Sequence, residues 1–507
     1  MPAERTIRAL LGSGHPEGIA IAAPDRAPLR RRELAAQMDA TIGSLRVLGV
    51  GRQDRVAMVL PNGPEMAAVF LGVAAGAAAA PLNTAYRAEE FDFYMSDIEA
   101  KLLLIEAGLE SPARAVAARR GITVVEVAPL LSAPAGRYAL LKDGQPVAGG
   151  AGEPSGPADV ALVLHTSGTT SRPKIVPLTH ANLTASARNI GRTLALQPAD
   201  RCLVIMPLFH IHGLIGALLS SMAAGGSVYC PPGFNALKFF AWLDDSEATW
   251  YTAVPTMHQT ILARAERNRD VIERRPLRFI RSSSASLPPQ VMQVLETAFS
   301  CPVLESYGMT EASHQMASNP LPPAARKPGT VGRGAGPEVA IQGPGGDILP
   351  AGQAGEIVIR GENVTAGYAN NPDANAEAFR NGWFRTGDLG FLDAEGYLTI
   401  SGRLKEIINR GGEKITPREI DEVLLDHPCV AQALAFAMPH DLLGEEVAAA
   451  VVLREGQETS ERELRDFVAR HLADFKVPRR IVLLQEIPKG PTGKLQRIGL
   501  AQRLGLP

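Results

Sequence analysis

Four short stretches concentrate residues able to manage phosphate, ribose and carboxylate groups. The first is HTSGTTSRPKIV, residues 165–176, in which Thr166, Ser167, Gly168, Thr169 and Thr170 precede a Pro-Lys pair ending at Lys174. A loop of glycine and hydroxyl residues can turn several backbone N–H groups toward one anion, and Lys174 adds a charge. The glycine-to-lysine order of a Walker loop is absent, and taken by itself the stretch reads equally as a polar turn.

The second stretch, ESYGMTEASHQM at 305–316, offers Tyr307 to stack on a base, Thr310 to hydrogen-bond a phosphate and Glu311 to hold Mg²⁺. A strand-end turn with one exposed Glu is the plainer alternative. In the third, residues 383–424, Asp388 stands between Gly387 and Gly390 and suits two-pronged recognition of a ribose diol, while Arg403 could meet ribose or phosphate oxygens. Surface ion pairs would also account for Arg403 and Lys405. The last, IPKGPTGKLQR at 487–497, is a Pro/Gly loop presenting Lys494, which in isolation reads as a solvated lysine.

These residues need a scaffold that brings loops together from distant parts of the chain. Short apolar runs alternate with helical patterns (RVAMVL, AKLLLIE, CLVIMP, each followed by a helix), which predicts βαβ units with parallel sheets covered on both faces. A Gly/Pro/Ser-rich stretch at 144–160 separates subdomains, and from about 327 short strands and tight turns predict a small β-subdomain reaching 402. Residues 403–507 alternate helix and strand again. The expected fold is α/β: a large N-terminal domain over 1–402 and a small, mobile α+β cap over 403–507.

At 507 residues the chain exceeds one compact core, and 51 basic against 53 acidic side chains give a net charge of −2, with no footprint for nucleic acid or an anionic membrane. The longest apolar stretch, Met66 to Ala80, falls short of the ~20 residues that span a bilayer and predicts a buried helix. Four cysteines without a CxxC pair suggest neither a zinc cluster nor a disulfide framework, and a cytoplasmic location is expected.

Taken in order, the four stretches resemble the adenylate-forming superfamily that includes acyl-CoA synthetases, peptide-synthetase adenylation domains and firefly luciferase, over nearly the whole chain. The resemblance implies that a carboxylate attacks the α-phosphorus of ATP, pyrophosphate leaves, and a thiol then displaces AMP, with CoA as the acceptor. It assigns Thr166–Thr170 and Lys174 to the β- and γ-phosphates, Thr310 and Glu311 to the α-phosphate, and Thr166 and Glu311 to Mg²⁺. Tyr307 with Ser284, Ala285 and Ser286 flanks the adenine, Glu305, Gly308 and Met309 join the nucleotide set, and Asp388 and Arg403 hold the ribose. Lys494 bridges the attacking carboxylate and the α-phosphate, Lys405 is the hinge of a rotating cap, and Gly411-Gly412 lines the path of the thiol. Relatives occur as monomers and homodimers.

The acid itself is read from His210, His212, His258, Ser283, Ser284 and His314, where a fatty-acid pocket would be small and apolar. A short substrate with a second carboxylate requires such donors, because an unpartnered buried charge is costly. His210 matches a position that assists adenylation for any acid, while His212 and His258 could equally be satisfied core residues. The segments PLFHIHGL, TWYTAVPTMHQ, RFIRSSSASL and INRGGEKITP are similar to the oxalate–CoA ligases of plants and fungi, so oxalyl-CoA formation is the leading expectation. Malonate or methylmalonate ligases, medium-chain or aromatic ligases, and a non-catalytic nucleotide-binding regulator are the alternatives. Ile175 departs from the pattern, standing where most of the superfamily has Gly.

Overall fold

Strands that are apolar on both faces must be covered on both faces, and the chain builds two such sheets before residue 338. The computed structural model describes residues 5–147, 149–150, 152–166, 173–489 and 495–506. It divides into two units, 1–338 with 359–382, and 339–358 with 383–507.

In the first unit a nine-stranded sheet runs in the order Arg333–Gly334, His314–Ser318, Val303–Met309, Phe279–Ser283, Trp250–Ala253, Arg201–Leu203, Ser227–Tyr229, Ile19–Ala22, Leu29–Arg30. The pairings from Val303–Met309 through to Ile19–Ala22 are parallel, and His314–Ser318 turns back antiparallel at one side. All five residues of Phe279–Ser283 are buried, as a central parallel strand demands. An eight-stranded sheet carries the parallel neighbours Ala78–Pro81, Arg55–Val59, Leu102–Glu106 and Thr123–Pro129, with the antiparallel pair Val160–His165 and Ile175–Thr179 at one end.

The apolar run Met66 to Ala80 is buried throughout: it forms the helix Pro64–Gly76, buried from Met66 onward, and then enters the buried strand Ala78–Pro81. Among the described residues no helix is long and apolar enough to cross a membrane.

The second unit holds a small sheet in which Trp383–Leu392 pairs antiparallel with Leu398–Arg403. A further five-stranded sheet runs Glu413–Ile415, Ile408–Arg410, Gly444–Leu453, Val430–His440, with Arg480–Leu484 also on Gly444–Leu453. The helices Pro417–Leu425 and Glu461–Ala469 contribute Ile420, Leu424, Leu464 and Val468 to its core. Asp388 stands in register with Arg403, so a division of the chain at 402/403 passes through this hairpin. The packing units instead group the hairpin with the C-terminal residues.

Candidate active site

The strand Val160–His165 ends where the hydroxyl-rich loop begins, and the antiparallel strand Ile175–Thr179 brings the chain back beside it. The loop's two ends are tied: Thr166 N–H donates to the Lys174 carbonyl at 2.9 Å, and Lys174 N–H donates to Thr166 Oγ1 at 3.3 Å. Ser167, Gly168, Thr169 and Thr170 lie outside the described residues. His165 Nε2 meets Asp97 Oδ2 at 3.0 Å, and its ring packs edge-on against Tyr94.

Ile175 proves to be the first residue of the returning strand. It is buried in the core of the eight-stranded sheet, and its carbonyl accepts from Ala369 N–H at 3.0 Å. The bulky residue therefore anchors the loop's exit by packing.

Lys174 Nζ lies 4.5 Å from the centre of the Tyr368 ring, a cation–π distance, and Tyr368 Oη donates to Glu311 Oε1 at 2.9 Å. Burial first, then the charge of Glu311 and the hydrogen bond to it, push the Tyr368 phenol far above its ordinary value. Glu311 is itself buried in the turn Thr310–Ala312, which is held from three sides. Thr365 N–H donates to the Glu311 carbonyl, Asn363 Nδ2 to the Ala312 carbonyl, and Ser186 Oγ to the Ser313 carbonyl. The plainer alternative, a strand-end turn with one exposed Glu, is thus set aside: the carboxylate is buried, with Tyr368 as a partner.

After that turn Ser313 and His314 both take positive φ, +50° and +99°. For His314 this is a strained backbone, of order 1–3 kcal/mol. The irregular register between Tyr307 and Gly308 on the paired strand accommodates it. A Cβ on Gly308 would fall 1.9 Å from the His314 carbonyl oxygen, so only glycine permits the close approach.

His314 is buried and stacks on His212, centroids 4.8 Å apart at 22°. His212 opens the π-helical segment His212–Leu219, a wider turn often found at functional sites. Its Nε2 meets Thr252 Oγ1 at 2.6 Å and its Nδ1 meets Ser284 Oγ at 3.1 Å. On the same segment Gly216 makes room for the stacked pair, since a Cβ there would lie 2.7 Å from His314 Nε2 and 3.0 Å from His212 Cδ2. Ser284 has φ +74°, and Ala285 and Ser286 beyond it are exposed.

Several expected site residues are buried. Ser283 is buried with its hydroxyl on the Ser306 carbonyl. Glu305 is buried, and its Oε1 accepts from Leu287 N–H at 2.8 Å, so it pins the 284–287 turn. Tyr307 is also buried, whereas Gly308, Met309 and Thr310 are partly exposed. His258 is a core residue bonded to Tyr251 Oη at 3.2 Å. His210 is half-buried, and its Nδ1 accepts from His212 N–H.

Sequence reasoning missed Arg281 and Tyr368. Arg281 is wholly buried and donates from Nη1 to His314 Nε2 at 2.9 Å and from Nη2 to Gln315 Oε1 at 3.2 Å. The available signal was an arginine inside FIRSS, a run that forms a strand buried at all five positions. Tyr368 carried no local signal.

In the second unit the Gly-Asp-Leu-Gly run lies within the ten-residue strand Trp383–Leu392. Asp388 is buried and accepts from Arg403 Nε at 2.6 Å, an ion pair across the hairpin. Gly411 (φ +58°) and Gly412 (φ +98°) form the two-residue turn joining Ile408–Arg410 to Glu413–Ile415, a turn that requires positive φ at both positions. Lys405 is exposed in the short turn Leu404–Glu406. Lys494 lies outside the described residues. Three residues beyond it, Arg497 is paired with Asp421 and, at 3.1 Å, with Glu406.

Among the described residues no group of three or more His, Cys, Asp or Glu could hold a metal. Glu311 is a buried carboxylate, and Mg²⁺ carried on a substrate's phosphates needs only one or two protein carboxylates, so the residues present fit such an ion.

An AMP-binding enzyme model matches residues 12–369, and an AMP-binding enzyme C-terminal domain model matches 419–494. The chain is 48% identical to the oxalate–CoA ligase of Arabidopsis thaliana over 459 residues, covering 90% of this chain and 89% of that protein. It is 44% identical to the oxalate–CoA ligase of Saccharomyces cerevisiae over 482 residues, covering 89% and 87%. Among solved structures, ATP-bound MatB from Rhodopseudomonas palustris is similar with a TM-score of 0.89 at 30% identity, over 99% of both chains.

Proposed function

The chain belongs to the AMP-binding enzyme family, and from that premise we propose that it joins oxalate to CoA: ATP and oxalate give oxalyl-adenylate and pyrophosphate, and the CoA thiol then displaces AMP. The observation that carries the choice of acid is the 44–48% identity to oxalate–CoA ligases over about nine-tenths of the chain. The side chains gathered at His314 support it, because they are imidazole, hydroxyl and guanidinium groups rather than an aliphatic lining.

The first half-reaction brings two anions together, so donors and cations must meet charge as it develops. Lys174 and the hydroxyl-rich loop face the terminal phosphates, and Thr310 serves the α-phosphate. Tyr368 holds Glu311 in place and keeps Lys174 beside it. Mg²⁺, bound with ATP through Glu311 and Thr166, would screen the phosphate charge. His210 assists adenylation, Ser284 and His314 meet the acid, and Tyr307 with Ser284–Ser286 borders the adenine. Asp388 and Arg403 serve the ribose, Lys494 the α-phosphate, and Gly411-Gly412 the thiol, with Lys405 as hinge of a mobile segment from 403 onward. The four cysteines are free thiols, in keeping with a reducing, cytoplasmic setting, and a monomer or homodimer is the expected form.

Pyrophosphate release measured with oxalate, malonate, methylmalonate, acetate, benzoate and octanoate tests the reading. Oxalate is expected to give the highest kcat/KM, and a preference for octanoate or benzoate would overturn it. Tight ATP binding without turnover of any acid would point to a regulatory protein instead.

A further inference from the structure

Arg281 is the most unusual charge in the first unit. Its side chain is wholly buried, yet it forms no ion pair with any described carboxylate. Its hydrogen-bond partners are the ring nitrogen of His314 and the amide oxygen of Gln315, and its Nε has none. The surroundings are neutral. Gln315 spends its amide N–H groups on Thr193 Oγ1 and the Ala335 carbonyl, and burial pushes the thiol of nearby Cys202 well above its ordinary value. A buried cation without a counter-charge is costly, and burial lowers the guanidinium to about 9, which still leaves it charged at neutral pH.

A guanidinium can only donate, so Nε2 of His314 must accept and the imidazole proton sits on Nδ1. His314 is therefore neutral, and the positive charge of the cluster belongs to Arg281. The cluster continues through the stacked ring of His212 to Ser284 Oγ, which is only partly buried at the end of the strand that carries Arg281.

We propose that Arg281 is the positioning and specificity-determining residue of the acyl end: its uncompensated charge fixes His314 in the neutral tautomer and selects a small acid carrying a second negative charge over a neutral isostere. This rests on the reading of the chain as an oxalate-activating ligase, and it names the feature that would make oxalate the preferred acid. An anion arriving near His314 would supply the counter-charge that the described residues do not give Arg281.

The test compares oxalate with oxamate, in which a neutral amide replaces one carboxylate, in the full-length wild type, Arg281→Met and Arg281→Lys. In the wild type oxalate is expected to exceed oxamate in kcat/KM. In Arg281→Met the oxalate value is expected to fall about 100-fold, the loss expected when one partner of a buried charge interaction is removed, while oxamate changes less than about threefold and KM for ATP holds. Arg281→Lys, which keeps the charge, restores part of the preference. Equal losses for both acids, or a rise in KM for ATP of the same size, would overturn the inference and leave the oxalate reading in place.

A wild type that prefers malonate, and loses its preference over malonamate in Arg281→Met, would overturn the oxalate reading and keep the inference. A wild type that activates only singly charged acids would overturn both. Should Arg281→Met fail to fold, His314→Gln decides: with Arg281 present it must still favour oxalate over oxamate, and loss of that preference overturns the proposal.

Discussion

Tyr368 Oη donates to Glu311 Oε1 at 2.9 Å while Lys174 Nζ sits 4.5 Å from the centre of the same ring. One side chain thus links the end of the hydroxyl-rich loop to the buried carboxylate proposed to serve Mg²⁺–ATP. Tyr368→Phe keeps the ring and removes the hydroxyl, leaving Glu311 short of one donor. It is expected to cost about 1 kcal/mol of stability and to raise KM for ATP several-fold, with KM for the acid unchanged. Tyr368→Leu, which also removes the cation–π partner, should raise it further. Equal values for the two variants would show that the ring contributes nothing.

Ile175→Gly installs the residue common in the superfamily at this position. Here it would empty a buried site packed against the core of the eight-stranded sheet. Removing a buried isoleucine side chain costs about 2–5 kcal/mol, and glycine in a strand adds to it. A denaturant midpoint unchanged by the substitution would refute the anchoring role.

Gly216→Ala places a methyl 2.7 Å from His314 Nε2 and 3.0 Å from His212 Cδ2. The stacked pair must shift, so KM for the acid is expected to rise at least tenfold, with KM for ATP little changed. Gly191→Ala, where nothing lies within 4 Å, is the matched control and should be silent in both.

Two buried histidines make stability fall with acid. Burial lowers His258 from 6.5 to about 3 and His180 from 6.5 to about 4. The unfolded chain therefore binds more protons than the folded one below pH 6.5, and stability is lost as pH falls from there toward each folded value. The loss between pH 7 and 5 approaches about 2 kcal/mol for each ring, with a limiting slope of about 1.36 kcal/mol per unit. His258→Gln should remove about half of this slope in unfolding midpoints measured at pH 5, 6 and 7. An unchanged slope would refute the assignment.

Lys494→Ala should abolish pyrophosphate release while leaving CoA transfer from preformed oxalyl-adenylate largely intact. Equal loss of both half-reactions would remove its proposed role on the α-phosphate alone.

The amino-acid sequence by itself determined the alternation that makes covered parallel sheets, and the four ordered stretches that mark the family. Both are local: a buried parallel strand needs a continuous apolar run, and a phosphate loop needs glycine, hydroxyls and a nearby cation within a dozen residues. It also pointed to His314 by its place after Thr310-Glu311. Only the tertiary structure decided what those residues touch. Strand order sets Arg281 and His314 within 2.9 Å although 33 positions separate them, and 57 positions separate Glu311 from Tyr368. No periodicity in the chain encodes either distance. The same cause accounts for Ile175, which stands where most of the superfamily has Gly: strand pairing puts its side chain in the core. Charge compensation is likewise a property of packing: Arg281 carries an ordinary arginine's letter, and only its burial without a partner among the described carboxylates makes it a candidate for selecting the substrate.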